Sequence, residues 1–329
     1  MSAGRGRAGG KRARRPLAEG RRVVVEVPAS SANLGAGFDC LGLALGLVNL
    51  IELEVCRRCA GEIDLIVEGE GAGELGGDRG NRFVEGLETG IRAAGSAIPA
   101  DLGWRIRMIN QVPLARGLGS SAAATVGGLL AANALLGGPL AQPDILRLAT
   151  RIECHPDNAA AALLGGFVVS AALEAGVEAI RFEAPAGLHV VLFIPDLRLS
   201  TRAMRAVLPP TVPFTDAVGN LGRVAVGVAG LATGRHDLLA ALTTDRLHEP
   251  YRAVAFPQLP RLVAAARGAG ALGACLSGAG SSILAFADGP DGVGPIEAAF
   301  RATASDCALP GRIEVVLPRN AGARVESVA

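Results

Sequence analysis

The rhythm of apolar and polar positions divides the chain into short segments of two kinds. Val23 to Val27 is a β-branched run closed by Pro28, which predicts a strand. A loop of small residues, Ala29 to Asp39, follows it. Leu41 to Leu47, Leu50 to Val55 and Glu62 to Glu68 read as the next strands, and Trp104 to Ile109 alternates apolar and basic residues as a half-exposed strand does. Ahead of that strand, past the glycine-rich stretch Gly69 to Gly80, Phe83, Val84, Leu87 and Ile91 recur at helical spacing within Asn81 to Ala94. A long run of small, helix-compatible residues follows Gly119 and ends at Gly137-Gly138-Pro139, with Ser120 or Ser121 where an N-cap is wanted. Asp144 to Glu153 predicts a second helix after Pro143, and His155-Pro156-Asp157-Asn158 opens a third that Gly165-Gly166 ends. Phe167 to Ser170 is a strand. The second half predicts strands over His189 to Ile194, Ala271 to Leu276, Ile283 to Ala287 and Arg312 to Leu317. Its helices are expected over Thr201 to Val207, Asp216 to Ala232, Pro260 to Gly268 and Ile296 to Thr303. Strands and helices that do not alternate steadily point to an α+β fold and away from a doubly wound sheet. No repeat of fixed period is present.

Composition narrows the chemistry. The 329 residues suggest two domains as a soft prior, and with half of them apolar a sizeable core can be buried. No run of about 18 apolar residues is free of charge, so no membrane span is expected. Aromatics make up only 3%, which leaves little for a base-stacking platform. Lys11 is the single lysine, and every other basic residue is arginine. This excludes a Walker loop, a protein-kinase strand lysine and Schiff-base chemistry. A phosphate site in this chain has to use backbone N–H groups, arginine and a metal.

Charge is unevenly spread. Residues 1–22 hold eight basic residues against Glu19, which leaves 24 basic and 30 acidic residues in the remainder, a net of −6. The acidic body makes nucleic acid an unexpected partner. Residues 1–21, rich in Gly, Ala and Arg, read as a disordered basic tail without the apolar stretch of a secretory signal. Cys40, Cys56, Cys59, Cys154, Cys275 and Cys307 are scattered, which fits a reducing cytoplasm. Cys56 and Cys59 form a C-x-x-C with no second pair at zinc spacing, so they read as ordinary strand cysteines.

The segment Pro113 to Ala124 carries the strongest chemical signal. Glycines at 117 and 119 allow positive φ and close approach of a ligand to the main chain. A helix N-terminus placed after them aims unpaired N–H groups at one point, where an anion is favoured. Two adjacent hydroxyls, Ser120 and Ser121, can donate to phosphate or bind Mg²⁺. The alternative is a glycine-rich turn with an ordinary serine cap. Other candidates are weaker alone: Asn33 and Asp39 in the first loop, Glu153, Asp157 and Asn158 around the third helix, and a second glycine-serine loop from Ser277 to Ser282. His155 beside proline reads as structural.

Taken together and in this order, these segments resemble the GHMP kinases, the group that includes galactokinase, homoserine kinase, mevalonate kinase and phosphomevalonate kinase. Pro113 to Ala122 is similar to that family's ATP loop, and Leu276 to Ser282 to its third motif. Pro28 to Asp39, His155 to Ala160 and Gly165-Gly166-Phe167 resemble the homoserine kinase branch. The resemblance implies a ribosomal protein S5 domain 2-like N-terminal domain over 22–186 and a ferredoxin-like C-terminal domain over 187–329. It implies ATP on Pro113, Leu114, Ala115, Arg116, Gly117, Leu118, Gly119, Ser120, Ser121, Ala122 and Ala123, with Asn81 at the adenine and Mg²⁺ held by Ser120 or Ser121 and Glu153. The implied acceptor is L-homoserine, bound by Asn33, Asp39, Thr201, Arg205 and Arg252, with the two arginines on its carboxylate. On pattern alone both arginines read as exposed helix residues. Asn158 stands where mevalonate-type relatives place an Asp, so Asn158 and Asp39 are expected to orient the attacking hydroxyl with no strong base. A homodimer is implied at family level. Three rivals stay open at this point. Another small-molecule kinase of the group is favoured if the arginines face away from the cleft. A catalytically silent ATP-binding relative would show a broken loop or a missing acidic ligand. An RNA-binding protein would use the basic tail.

Overall fold

The computed structural model describes residues 15–329 apart from Arg79. The first half contains β1 (Arg22–Ala32), β2 (Leu41–Cys56), β3 (Ile63–Gly69), α1 (Arg82–Ala93), β4 (Gly103–Asn110), α2 (Ser120–Leu135), α3 (Gln142–Glu153), α4 (Asp157–Leu164), β5 (Phe167–Leu173) and β6 (Gly176–Phe182). The second half contains β7 (Leu188–Pro195), α5 (Thr201–Ala206), α6 (Phe214–Ala232), α7 (Leu239–Leu242), α8 (Glu249–Arg252), α9 (Leu259–Gly268), β8 (Gly273–Leu276), β9 (Ile283–Asp288), α10 (Val293–Asp306), β10 (Gly311–Val316) and β11 (Arg324–Val328).

Two sheets organise these elements. One runs β11-β1-β2-β4-β3, with β5 pairing both β2 and β6. The other runs β10-β7-β9-β8 and is antiparallel at each pairing. Its chain order is β-α-β-β-α-β, so the second unit is the expected ferredoxin-like one. Leu41, Leu43 and Leu45 of β2 share a buried cluster with Val190, Leu192 and Ile194 of β7 and Phe286 of β9, which joins the two sheets through one core. Helices α1 and α2 lie close because their facing positions are small. A Cβ on Gly128 would overlap Phe83 O.

The alternation in β4 is explained by its neighbours. Ile106 and Met108 are buried, while Arg105 pairs with Asp64 of β3 at 3.0 Å and with Glu54 of β2 at 3.3 Å. Arg107 does the same with Glu68 at 2.8 Å and Glu52 at 3.3 Å. Exposed pairs of this kind contribute roughly 0–1 kcal/mol each. Stability therefore rests on the apolar clusters, and the charges serve register.

Several expectations need correction. Leu41 to Val55 is one bulged strand, because β2 stays paired to β1 across a register shift at Pro28/Ala29. Neither Ser120 nor Ser121 is the cap of α2; Gly119 holds that place with φ 72°, and no side chain caps the helix. Strands β6 and β11 went unpredicted. Every residue of β11 is exposed, so it carries no burial rhythm, yet it pairs with β1. The chain beyond β10 thus returns to the first sheet, and a unit running from 187 to the C-terminus is not what the pairing shows. Residues 1–14 of the basic tail lie outside the described residues. Residues 15–21 pack instead of trailing: Arg15 N–H donates to Leu136 O at 3.0 Å, Leu17 rests on the core, and Arg21 Nη1 donates to Leu135 O at 2.6 Å.

Candidate active site

A cleft of about 240 Å³ opens where the loops of both halves meet. Its wall brings together Asn33, Asp39, the 113–122 loop except Leu114, Glu153, His155, Asp157, Asn158, Thr201, Arg205 and Arg252. A second cavity of about 350 Å³ adjoins it and shares Arg82, Ala115, Ser120, Ser121 and Thr201. Leu114 and Asn81 line that second cavity. Ala123 lines neither; it is fully buried in the apolar cluster beneath α2.

The loop from Gly117 to Ser121 is built to be close to another backbone. Gly117 has φ 74° and Gly119 φ 72°. A Cβ on Gly117 would overlap Ser277 O, and one on Gly119 would overlap Ser30 Oγ. Ser277 Oγ donates to Gly117 O at 2.8 Å, and Ser282 N–H donates to Arg116 O at 3.1 Å, so the second glycine-serine loop braces the first. No side chain caps the first turn of α2, whose residues Ser120, Ser121 and Ala122 line the cleft. Arg116 turns away from that point: its Nε donates to Pro195 O at 2.7 Å, tying the loop to the end of β7.

Glu153 ends α3 beside α2. Its Oε1 accepts from Ser121 Oγ at 2.9 Å and from Thr125 Oγ1 at 2.7 Å. The carboxylate, the Ser121 oxygen and the uncapped helix end therefore form one oxygen-rich corner, a donor set that suits Mg²⁺ completed by phosphate and water. Ser120 Oγ has no partner among the described residues.

The other end of the cleft is made of side chains from distant segments. Arg205 donates to both oxygens of Asp39, Nη1 to Oδ2 at 3.0 Å and Nη2 to Oδ1 at 2.5 Å. Arg252 is 1% exposed and has no carboxylate partner among the described residues. Its acceptors are neutral: Gly278 O at 2.8 Å, Met204 O at 3.3 Å and His248 Nδ1 at 3.2 Å. Burial, then the charge of Arg205, pulls its guanidinium down to about 10, so it stays cationic at neutral pH. His248 Nε2 lies 2.8 Å from Gly35 O, which fixes Nε2 as the donor and leaves Nδ1 to accept from Arg252. Burial pushes this histidine down to about 4, so no second cation competes. Phe38 sits between the groups, with Arg205 5.2 Å and Arg252 5.3 Å from its ring centroid and His248 packed at 5.1 Å. Arg252 is thus a buried cation hydrogen-bonded to neutral groups, with Asp39, Asp245 and Glu249 acting on it as charges, the reverse of the exposed helix residue the pattern suggested.

Asn33 reaches the cleft wall, but its amide is spent on structure. Its Nδ2 donates to Gly278 O at 2.9 Å, and its Oδ1 accepts from Asp39 N–H at 3.0 Å. Asn33 and Asp39 both hold positive φ, 67° and 54°, a strained pair that the surrounding bonds maintain. Asn158 Oδ1 accepts from Ser30 Oγ at 2.9 Å, which turns its Nδ2 away from that contact. Asn81 caps α1: its Oδ1 accepts from Phe83 N–H at 3.0 Å and its Nδ2 donates to Gly76 O at 3.2 Å. Its Oδ1 and one of its two Nδ2 hydrogens are therefore engaged within the chain. His155, read as structural, lies in the cleft wall with Nδ1 2.8 Å from Asp157 Oδ1. Burial would lower its pKa, but the Asp157 bond and the charges of Asp157 and Asp39 raise it above the ordinary value. Phe38, His248 and Arg82 went unnoticed in the sequence, since nothing local marks an aromatic or a histidine that serves residues far away in the chain.

A fold of this kind with a glycine-serine loop on a helix N-terminus suits a small-molecule kinase, and comparison with known proteins supplies the family. The family description GHMP kinases N terminal domain matches residues 81–166, and GHMP kinases C terminal matches residues 228–306. A homoserine kinase of Moorella thermoacetica is 43% identical over 92% of this chain and 99% of its own. One from Caldicellulosiruptor bescii is 42% identical over 81% of this chain and 84% of its own. The crystal structure of homoserine kinase from Cytophaga hutchinsonii superposes with TM-score 0.82 at 29% identity, covering 92% of this chain and 97% of that one. The chain belongs to the homoserine kinase family of the GHMP kinases.

Proposed function

We propose that this chain phosphorylates the side-chain hydroxyl of L-homoserine with ATP, giving O-phospho-L-homoserine and ADP for threonine biosynthesis. The observation that carries the substrate is Arg252, a cation buried in the cleft with neutral acceptors only. A buried charge is costly unless paired, so the site favours an acceptor that brings a carboxylate. Asp39 offers the complementary charge for the ammonium, and the substrate's two charges would exchange with the Asp39–Arg205 pair.

Bound ATP supplies the γ-phosphoryl group, and bound Mg²⁺ screens the phosphate charge. The 117–121 loop and the first turn of α2 would hold the phosphates by backbone N–H groups, which suits a body without lysine. Glu153 and Ser121 would hold the metal, with Ser120 free to join them. Asn158 would donate its amide N–H to the attacking hydroxyl and fix its direction, and Asp39 would set the substrate's pose. In the transfer, the substrate oxygen bonds to the γ-phosphorus while the bond to the bridging oxygen of ADP breaks. The hydroxyl proton leaves late, to a phosphate oxygen or to solvent. Positioning and electrostatics carry the rate.

No helix among the described residues is long and apolar enough to cross a membrane. Free cysteines, with no disulfide among the described residues, support a cytoplasmic setting. A homodimer is part of the proposal. Phe214, Val218 and Leu221 of α6 are 82%, 53% and 75% exposed at i, i+4 and i+7, a stripe that a second copy could cover. The test is ADP release with Mg-ATP and L-homoserine, D-homoserine, mevalonate or galactose offered in parallel. Turnover with L-homoserine alone is expected, and turnover with galactose instead, which has no carboxylate, would discard the arginine clamp. If Asn158→Ala kept full turnover, its orienting role would be wrong.

A further inference from the structure

The loop that carries Asp39 belongs to the first half of the chain but is fastened by the second. Asn33, Leu34, Gly35 and Asp39 hold positive φ of 67°, 48°, 77° and 54°. Such a backbone persists only where its surroundings hold it. Ala36 N–H donates to Leu242 O at 2.9 Å, His248 Nε2 lies 2.8 Å from Gly35 O, and a Cβ on Gly35 would overlap the main chain of Thr243. A further fastening comes from α6. Asn220, 1% exposed, donates from Nδ2 to Ala36 O at 2.8 Å.

The same amide reaches toward the helix of the buried arginine. Its Nδ2 also donates to Asp245 Oδ1 at 3.1 Å, and its Oδ1 accepts from Arg246 N–H at 3.0 Å. Two acceptors on one side and a donor on the other fix which way the amide faces. Asp245 in turn accepts from Leu247, His248 and Glu249 N–H at 3.0, 2.8 and 2.7 Å, which shapes the entry to α8. Arg252 ends that helix, its N–H donating to His248 O at 2.9 Å. One buried side chain thus bonds both to the loop of Asp39 and to the turn that sets α8, while lining neither cavity of the site.

We propose that Asn220 is a positioning residue that fixes Asp39 relative to Arg252 and so fits the acceptor end of the cleft to an amino-acid substrate. The inference rests on the proposed function, in which Asp39 takes the ammonium and Arg252 the carboxylate. Those two groups sit on one carbon of the substrate, so a small shift of either protein charge spoils the pair. An apolar side chain of similar volume would fill the space but leave Ala36 O and Asp245 Oδ1 without this donor. In the sequence Asn220 is one polar residue within an apolar helix, and nothing local distinguishes it.

The test is steady-state kinetics of the full chain with Mg-ATP, alongside calorimetric binding of ADP, for Asn220→Leu. KM for L-homoserine is expected to rise about 30-fold, with kcat within about threefold and ADP affinity within about twofold of the unsubstituted chain. The ratio of kcat/KM for L-homoserine to that for 3-aminopropan-1-ol, which lacks the carboxylate, is expected to fall about tenfold. That ratio is read within each protein, so lower stability alone does not move it. Should the leucine variant fail to fold, the smaller Asn220→Ser, whose hydroxyl is too short for these bonds, carries the same expectation. An unchanged KM and ratio overturn the inference, and so does a fall in ADP affinity as large as the loss on L-homoserine. If the unsubstituted chain does not discriminate between the two alcohols, the proposed acceptor fails, and this inference with it.

Discussion

The two ends of the cleft prepare for anions by opposite means. At the phosphate end, residues 117–121 offer backbone N–H groups from a single short segment, with positive-φ glycines packed against Ser30 and Ser277. At the amino-acid end, Asp39, Arg205 and Arg252 come from three distant segments and carry full charges. Backbone donors need no counter-ion while they wait. A side-chain cation does, and the molecule solves this twice in different ways. Arg205 waits in an ion pair with Asp39, while Arg252 waits buried against carbonyls, a neutral histidine and the face of Phe38. On the proposed function, local geometry would hold phosphate, while recognition of a small zwitterion would depend on charges stored by the tertiary fold.

Separate substitutions can break each half of this comparison. The largest effect is expected from Arg252→Met, about 1,000-fold in kcat/KM for L-homoserine, with ADP binding by calorimetry within about twofold of the unsubstituted chain. Loss of nucleotide binding as well would mean that the two ends are not independent. Gly119→Ala acts at the other end: the added methyl meets Ser30 and the φ is unfavourable, so nucleotide affinity should fall about 100-fold. Phe38→Leu removes the ring shared by the two arginines and should raise KM for L-homoserine about tenfold while leaving nucleotide binding alone. The smallest effect concerns Glu249, half-buried on α8 three residues before Arg252. Burial pushes its carboxyl up to about 8, against 4.5 when free. The folded state therefore keeps a proton that the unfolded chain has lost, and this contribution is complete below about 4.5 and disappears as pH rises through about 8. Glu249→Gln should flatten the fall of Tm across that window and raise Tm by a few degrees at its upper end. An unchanged pH slope would show that Glu249 is charged in the fold.

How much could be read in advance follows the same division. The loop at 113–122 is contiguous and its glycines have a local reason, so the sequence pointed to it without help from the rest of the chain. The proposed clamp was named through resemblance alone: the periodicity around Arg252 says nothing of His248, Gly278 or Phe38, which surround it as a buried cation. Asn33 and Asn81 line the expected walls, and the structure adds that each bonds backbone groups through its side-chain amide, since a sequence does not show which polar atoms backbone groups consume. Among the strands, β11 escaped notice because it pairs through its main chain while all its side chains face solvent.

The central claim is that a carboxylate on the acceptor is recognised by a prepared buried cation. The most direct measurement compares kcat/KM for L-homoserine with that for 3-aminopropan-1-ol, the same molecule without its carboxylate, in the unsubstituted chain and in Arg252→Met. The account predicts discrimination of about 1,000-fold in the first and a collapse to within about tenfold in the second. Equal rates for the two alcohols in the unsubstituted chain, or discrimination that survives the loss of Arg252, would contradict it.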